Sequence, residues 1–212
     1  MKRKTRDVRT PAEASRLWRV FCAIEIPEAV GRSIYRYINE LQTRFPYVEA
    51  SWNRQQNFHL TLKFVGNISP DRVNDLSSAA AAASKSNAPF SIRVAGTGSF
   101  PGHGPPRVLW IGVNDQTQQL QRLQQRLEEE CAHVGFEREE RSLHPHVTVA
   151  RLRKTNGSRE LVRTHLEMGF QPLEVSIKEL VVFRSQLGPN GSNYSVVSNH
   201  HLGNCFGPGG DG

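Results

Sequence analysis

Two short stretches carry the residues whose type and spacing suit them to chemistry, "FHLTLKFVG" at 58–66 and "LHPHVTVARL" at 143–152. Each contains a histidine, an apolar residue, a threonine and a second apolar residue. Side chains alternate across an extended strand, so His59 and Thr61 share one face, and His146 and Thr148 share another. In each case the imidazole and the hydroxyl stand about 7 Å apart along the strand. By the same alternation Leu60, Leu62 and Phe64 face inward, as do Val147 and Val149, while Lys63 joins the histidine face.

A neutral imidazole can take a proton from an attacking water, and a protonated one can return a proton to a departing alkoxide. Two hydroxyls can donate hydrogen bonds to non-bridging oxygens as charge builds on them. A cleft holding both pairs therefore suits a phosphodiester. Histidine titrates near neutrality unaided, so the chemistry requires no metal and no cofactor. The bland alternative is that both His-Thr faces merely line a solvated sheet surface. A zinc site from His59, His144 and His146 lacks the carboxylate or thiolate company usual for such sites.

These strands need a frame. Val20, Cys22, Ile24 and Ile26 recur at period two, giving a strand that Pro27 ends. Val30, Ile34, Ile38 and Leu41 then follow a helical period. After the first motif strand, Ser69 is placed to cap a helix with Pro70 in its first turn. "FSIRVAGTGSF" and "RVLWIGV" read as a strand pair around the turn-rich "PGHGPP". Leu120, Leu123 and Leu127 mark the clearest helix, with Gly135 as its terminator. The second motif strand, a short helix at 158–169, and the strands "LEVSIKELVVFRSQL" and "NYSVVSNHHL" complete the order. One unit is used twice in this order, strand and helix alternating in both halves, which predicts an α+β fold of two pseudo-symmetric lobes. Each lobe has a mainly antiparallel sheet with flanking helices around a central cleft.

A chain of 212 residues supports one such bilobal domain, placed at 17–200 between a basic tail at 1–16 and a Gly-rich tail at 201–212. The formal net charge of +7 favours polyanionic partners, although Lys2, Arg3, Lys4 and Arg6 supply four of those charges from the tail. No apolar run is long enough to span a bilayer, and the reading is a cytoplasmic monomer. Cys22, Cys131 and Cys205 are odd in number and widely spaced, which suits reduced thiols.

In the fuller context of "WNRQQNFHLTLKFVGN", "HPHVTVARL", "FCAIEIP", "PPRVLWIGV" and "ELVVFRSQLGPNGSNYSVV", the chain resembles the two-histidine phosphoesterase superfamily over roughly residues 17–197. The branch it resembles is that of the RNA 2',3'-cyclic phosphodiesterases, also called 2'-5' RNA ligases. The resemblance implies metal-independent hydrolysis of a terminal 2',3'-cyclic phosphate on RNA, tRNA-like fragments included, to a 2'-phosphate, with reverse 2',5' ligation as a side activity. It implies His59 as proton donor, His146 as proton acceptor, and Thr61 and Thr148 on the phosphate oxygens. A small cyclic nucleotide, such as a mononucleotide or ADP-ribose cyclic phosphate, is the enzymatic alternative; a non-catalytic RNA-binding module is the other.

Arg151 follows the second motif as in relatives, but strict alternation turns it away from His146, so a phosphate role requires a bulge. Lys63 and Tyr194 are substrate-binding candidates, and Trp52 and Phe58 are further stacking candidates. His144, beside Pro145, fits an orienting role better than a catalytic one. His103 and Arg107 sit on the turn-rich loop, where a cation near the cleft mouth would meet RNA phosphates. His200 and His201 read as exposed. The polar segment "SNHHLGNCFGPGG" departs from the apolar closing segment usual in relatives.

Overall fold

The computed structural model describes residues 17–154, 157–188 and 191–203. Strand β1 (Trp18–Glu25) sends Val20, Cys22 and Ile24 into the main core. Phe21 and Ala23 lie on its opposite face and are also buried, in a small second cluster with Val181 and Phe183. Pro27 directly precedes helix α1 (Glu28–Arg44), whose Val30, Ile34, Ile38 and Leu41 form the buried stripe. A short strand β2 (Ala50–Trp52) and a 3-10 turn at Gln55–Asn57 lead into β3 (His59–Ile68).

Pro70 opens a 3-10 turn, Pro70–Arg72, rather than the α-helix, and Ser69 makes no side-chain cap bond; helix α2 spans Val73–Lys85. Strands β4 (Phe90–Phe100) and β5 (Val108–Asn114) pair around the glycine- and proline-rich turn. Helix α3 (Gln119–His133) buries Leu120, Leu123 and Leu127 completely, and Gly135 follows it at φ +84°. Then come β6 (His146–Leu152), α4 (Arg159–Met168), β7 (Leu173–Ile177), β8 (Glu179–Gly188) and β9 (Gly191–His201).

These strands make two antiparallel sheets, one ordered β3-β1-β8-β9 and the other β2-β6-β5-β4-β7. Helices α2 and α3 pack together on the first sheet, with α2 against β8 and β9 and α3 against β3. Helix α4 lies on β4 of the second sheet and is joined to α1 by the Tyr37 hydroxyl, 2.7 Å from Nδ1 of the fully buried His165. The main apolar core draws residues from both sheets and all four helices. The architecture is α+β, with each sheet carrying one motif histidine at the start of a strand: His59 on β3 and His146 on β6.

Two parts of the strand reading are corrected. Three residues of β2 are too few to show a period, yet they pair with β6. "LEVSIKELVVFRSQL" is two strands in different sheets, β7 beside β4 and β8 beside β1. The crossing falls at Lys178, where the residues in the main core change parity from Val175 and Ile177 to Leu180 and Val182, while Val181 and Phe183 join the second cluster. Residues 201–203, assigned by composition to the tail, belong to the folded body: His201 pairs with Glu179, Leu202 is buried, and its N–H donates to the Lys178 carbonyl at 2.8 Å. The 1–16 and 204–212 segments, with Cys205, lie outside the described residues. Cys22 and Cys131 are buried free thiols. No described helix is long and apolar enough to cross a membrane.

Candidate active site

A cleft of about 540 Å³ between the two sheets is lined by both motif pairs, His59 with Thr61 and His146 with Thr148. Two larger cavities, of about 710 and 700 Å³, lie away from both histidines.

The imidazoles are held alike. His59 Nδ1 lies 2.8 Å from the carbonyl oxygen of Asn57, and His146 Nδ1 lies 2.7 Å from that of His144. A carbonyl only accepts, so Nδ1 carries the hydrogen in both rings and Nε2 is left able to accept a proton. The backbone turn before each strand thus sets the tautomer. Asn57 is itself fastened, its Nδ2 donating to the Ser192 carbonyl at 2.9 Å on the β8–β9 hairpin. Asn53 performs a related task across the cleft, donating to the Thr148 carbonyl at 2.9 Å.

Each imidazole also sits among aromatic rings. Phe21 and Tyr194 have centroids 4.8 and 5.1 Å from that of His59. Phe100 and Trp110 stand 5.0 and 6.2 Å from His146. The Trp110 ring lies flat against Gly98, where a Cβ would come within 2.0 Å of it. Burial by these walls removes water from the charged form, holding His59 down at about 4 against an ordinary value of 6.5. The Asn57 carbonyl opposes that shift, while positive charge on His146 and Arg151 adds to it. Burial likewise lowers His146, opposed by the His144 carbonyl and reinforced by His144 and Arg151.

Arg151 reaches the cleft because β6 bulges. Trp110 pairs with Thr148 and Leu109 with Ala150, so Val149 is skipped and Arg151 returns to the histidine face. Tyr194 and Trp52 also line the cleft. Lys63 does not. In the pairing of β1 with β3, Ala23 opposes Thr61 and Cys22 opposes Lys63, so Leu62 is skipped and the parity inverts. Lys63 turns inward to Glu128, its Nζ 2.6 Å from Oε2, and Phe64 takes its place on the cleft wall, half exposed. The sequence assignment of Lys63 to substrate is therefore corrected, the bulge being the cause.

Phe58 is buried as core, and His103 lies in an exposed turn, outside the cleft lining. His144 is exposed, with its ring edge-on to Phe100 and Trp110, and its carbonyl orients His146. His200 is half-buried, against expectation, with Nε2 2.9 Å from Ser198 Oγ. Among the described residues no three His, Cys, Asp or Glu side chains gather to hold a metal ion. Sequence reasoning missed Phe21, Phe100 and Trp110, whose part depends on cross-strand packing.

Residues 30–189 match the family model described as the 2'-5' RNA ligase superfamily. A Thermotoga maritima protein named RNA 2',3'-cyclic phosphodiesterase is 31% identical over 179 residues, covering 84% of this chain and 92% of that one. Among solved structures, a Thermus thermophilus protein aligns with a TM-score of 0.74 at 24% identity, over 88% of this chain and 99% of its own. Escherichia coli LigT, crystallised with 3'-AMP, aligns with a TM-score of 0.69 at 21% identity, over 88% and 98%.

Proposed function

This chain is an enzyme of the 2'-5' RNA ligase superfamily, and on that premise we propose that it hydrolyses a terminal 2',3'-cyclic phosphate on RNA to a 2'-phosphomonoester by paired histidine acid and base. The observation that carries the reading is the matched pair of Nδ1–H imidazoles lining one cleft. The name of the Thermotoga maritima relative supports the substrate.

In the proposed reaction His146 Nε2 takes a proton from water as the water oxygen bonds to phosphorus. The P–O3' bond breaks, and His59 Nε2–H gives its proton to the departing O3'. The phosphoryl group stays on O2'. Thr61 and Thr148 donate to the non-bridging oxygens, and the Arg151 guanidinium offsets their charge. Burial keeps His59 neutral in the free enzyme near pH 7. A phosphodiester anion between the rings favours the imidazolium and restores the donor where it is needed. A 5'-hydroxyl in the place of water would give a 2',5' linkage by the same steps.

The test is an oligoribonucleotide ending in a 2',3'-cyclic phosphate, incubated with EDTA and analysed for 2'- against 3'-phosphate. The 2'-phosphate should form. His59→Ala and His146→Ala should each lower turnover by about 10²–10⁴-fold. Full activity in either variant, or activity abolished by EDTA, overturns the assignment.

A further inference from the structure

Resting on that reading, we propose that Phe64 and Arg19 form a second subsite, which holds the base and phosphate of a nucleotide lying 5' of the cyclic phosphate. Three observations converge on it. The Leu62 bulge turns Phe64 out of the core and onto the cleft wall, where it remains 51% exposed. The Arg19 guanidinium carbon lies 4.9 Å from the Phe64 ring centroid. Among the described residues Arg19 has no carboxylate partner, and its side chain is exposed.

A single exposed phenylalanine is common on a protein surface and alone means little. Here the ring is presented by an irregularity of a strand whose first residue is His59, and a cation without a carboxylate stands over it. A half-exposed aromatic ring with an adjacent guanidinium offers the two contacts by which unpaired nucleotides are held, stacking on the base and charge on the backbone. Both contacts tolerate any base, because every base has a π-face.

Position decides which nucleotide is held. Tyr194 meets the His59 ring edge-on and so borders the reacting phosphate. Phe64 is five residues further along β3, roughly 15 Å by strand rise. With the phosphorus gripped at His59, that ring is left to the preceding nucleotide of the RNA. The β1 pairing puts Phe64 opposite Phe21, which itself contacts His59, so the wall is continuous from the imidazole to the proposed subsite. The consequence is a preference for oligonucleotides over mononucleotides that does not depend on sequence.

The experiment compares kcat/KM for a short oligoribonucleotide ending in a 2',3'-cyclic phosphate with that for a mononucleotide 2',3'-cyclic phosphate. Phe64→Ala should lower the ratio of oligonucleotide to mononucleotide about tenfold, and Phe64→Trp should preserve it. Arg19→Gln should lower the ratio and reduce the salt slope of oligonucleotide binding by about one. An unchanged ratio in both Phe64→Ala and Arg19→Gln overturns the subsite, as does a wild-type ratio near one. Wild-type protein that turns over neither substrate overturns the parent reading instead. Thermal melts of the variants separate a lost contact from a lost fold, since both side chains are at the surface.

Discussion

Lys63 and Glu128 form an ion pair at 2.6 Å with side chains only 3% and 9% exposed, and it joins the first motif strand to the segment leading to the second. Lys63 Nζ also donates to the Glu137 carbonyl at 2.8 Å, and Glu128 Oε2 accepts the Glu139 N–H at 3.1 Å. Removing one charge from such a pair strands the other in a poorly solvating interior. Lys63→Met should therefore destabilise the fold by about 3–5 kcal/mol, measured by urea unfolding. Lys63→Met with Glu128→Leu should recover most of that loss. A single variant as stable as the wild type would show that the pair contributes no net stability.

The pH dependence follows from the burial of the two imidazoles. His59 is held at about 4 and His146 is lowered from 6.5. Above both values each ring is neutral and the donor is lost; below both, each is protonated and the base is lost. The bell of kcat/KM, which reports the free enzyme, should thus lie on the acid side of 6.5 and fall as pH rises beyond it. Positive charge on Arg151 lowers both groups, so Arg151→Gln should raise both and move the bell to higher pH. Rate profiles of the two proteins check this, and a bell that stays fixed or moves to lower pH counts against it.

The motif pairs could be read from sequence because each occupies the first residues of its strand, ahead of any irregularity. His59 with Thr61 and His146 with Thr148 fall where period-two alternation still applies. Beyond them it fails at Leu62, Val65 and Val149, and two of these irregularities decide which side chains meet the cleft. The skipped Leu62 exchanges Lys63 for Phe64, and the skipped Val149 restores Arg151 to the cleft. A bulge has no composition of its own here, so nothing in "LTLKFVG" announces it. The aromatic walls were also hidden, since Phe21 and Trp110 act on histidines that are distant in sequence and near only through strand pairing. Tyr194 was legible as a candidate, but its edge-on contact with His59 was not. By contrast, the helix of Leu120, Leu123 and Leu127 followed directly from its stripe.

Thr61 and Thr148 line the cleft, and among the described residues neither hydroxyl has a hydrogen-bond partner in the protein. Donors held ready for a developing oxyanion act mainly on the transition state. Thr61→Ala and Thr148→Ala should each lower kcat by about 10–10³-fold with a smaller change in KM. Serine at either position keeps the hydroxyl and should retain most of the rate. Steady-state kinetics on the cyclic-phosphate oligonucleotide distinguish these outcomes, and a purely KM effect would assign the hydroxyls to ground-state binding.

Gly98 offers a test of the wall behind His146. A Cβ there would stand 2.0 Å from the Trp110 ring, so Gly98→Ala must displace the indole. That indole lies against both His144 and His146, with centroids 5.0 and 6.2 Å away. Overpacking of this kind destabilises by about 1–3 kcal/mol, and the shifted ring also disturbs the imidazole proposed as base. Gly98→Ala should therefore lower kcat as well as stability, and it should shift the pH profile. Adding Trp110→Leu makes room for the new methyl group. The double variant should regain stability but not the wild-type pH profile, because the wall that desolvates His146 is gone. Should the double variant restore both, Trp110 would act only as packing and not as part of the environment that sets His146.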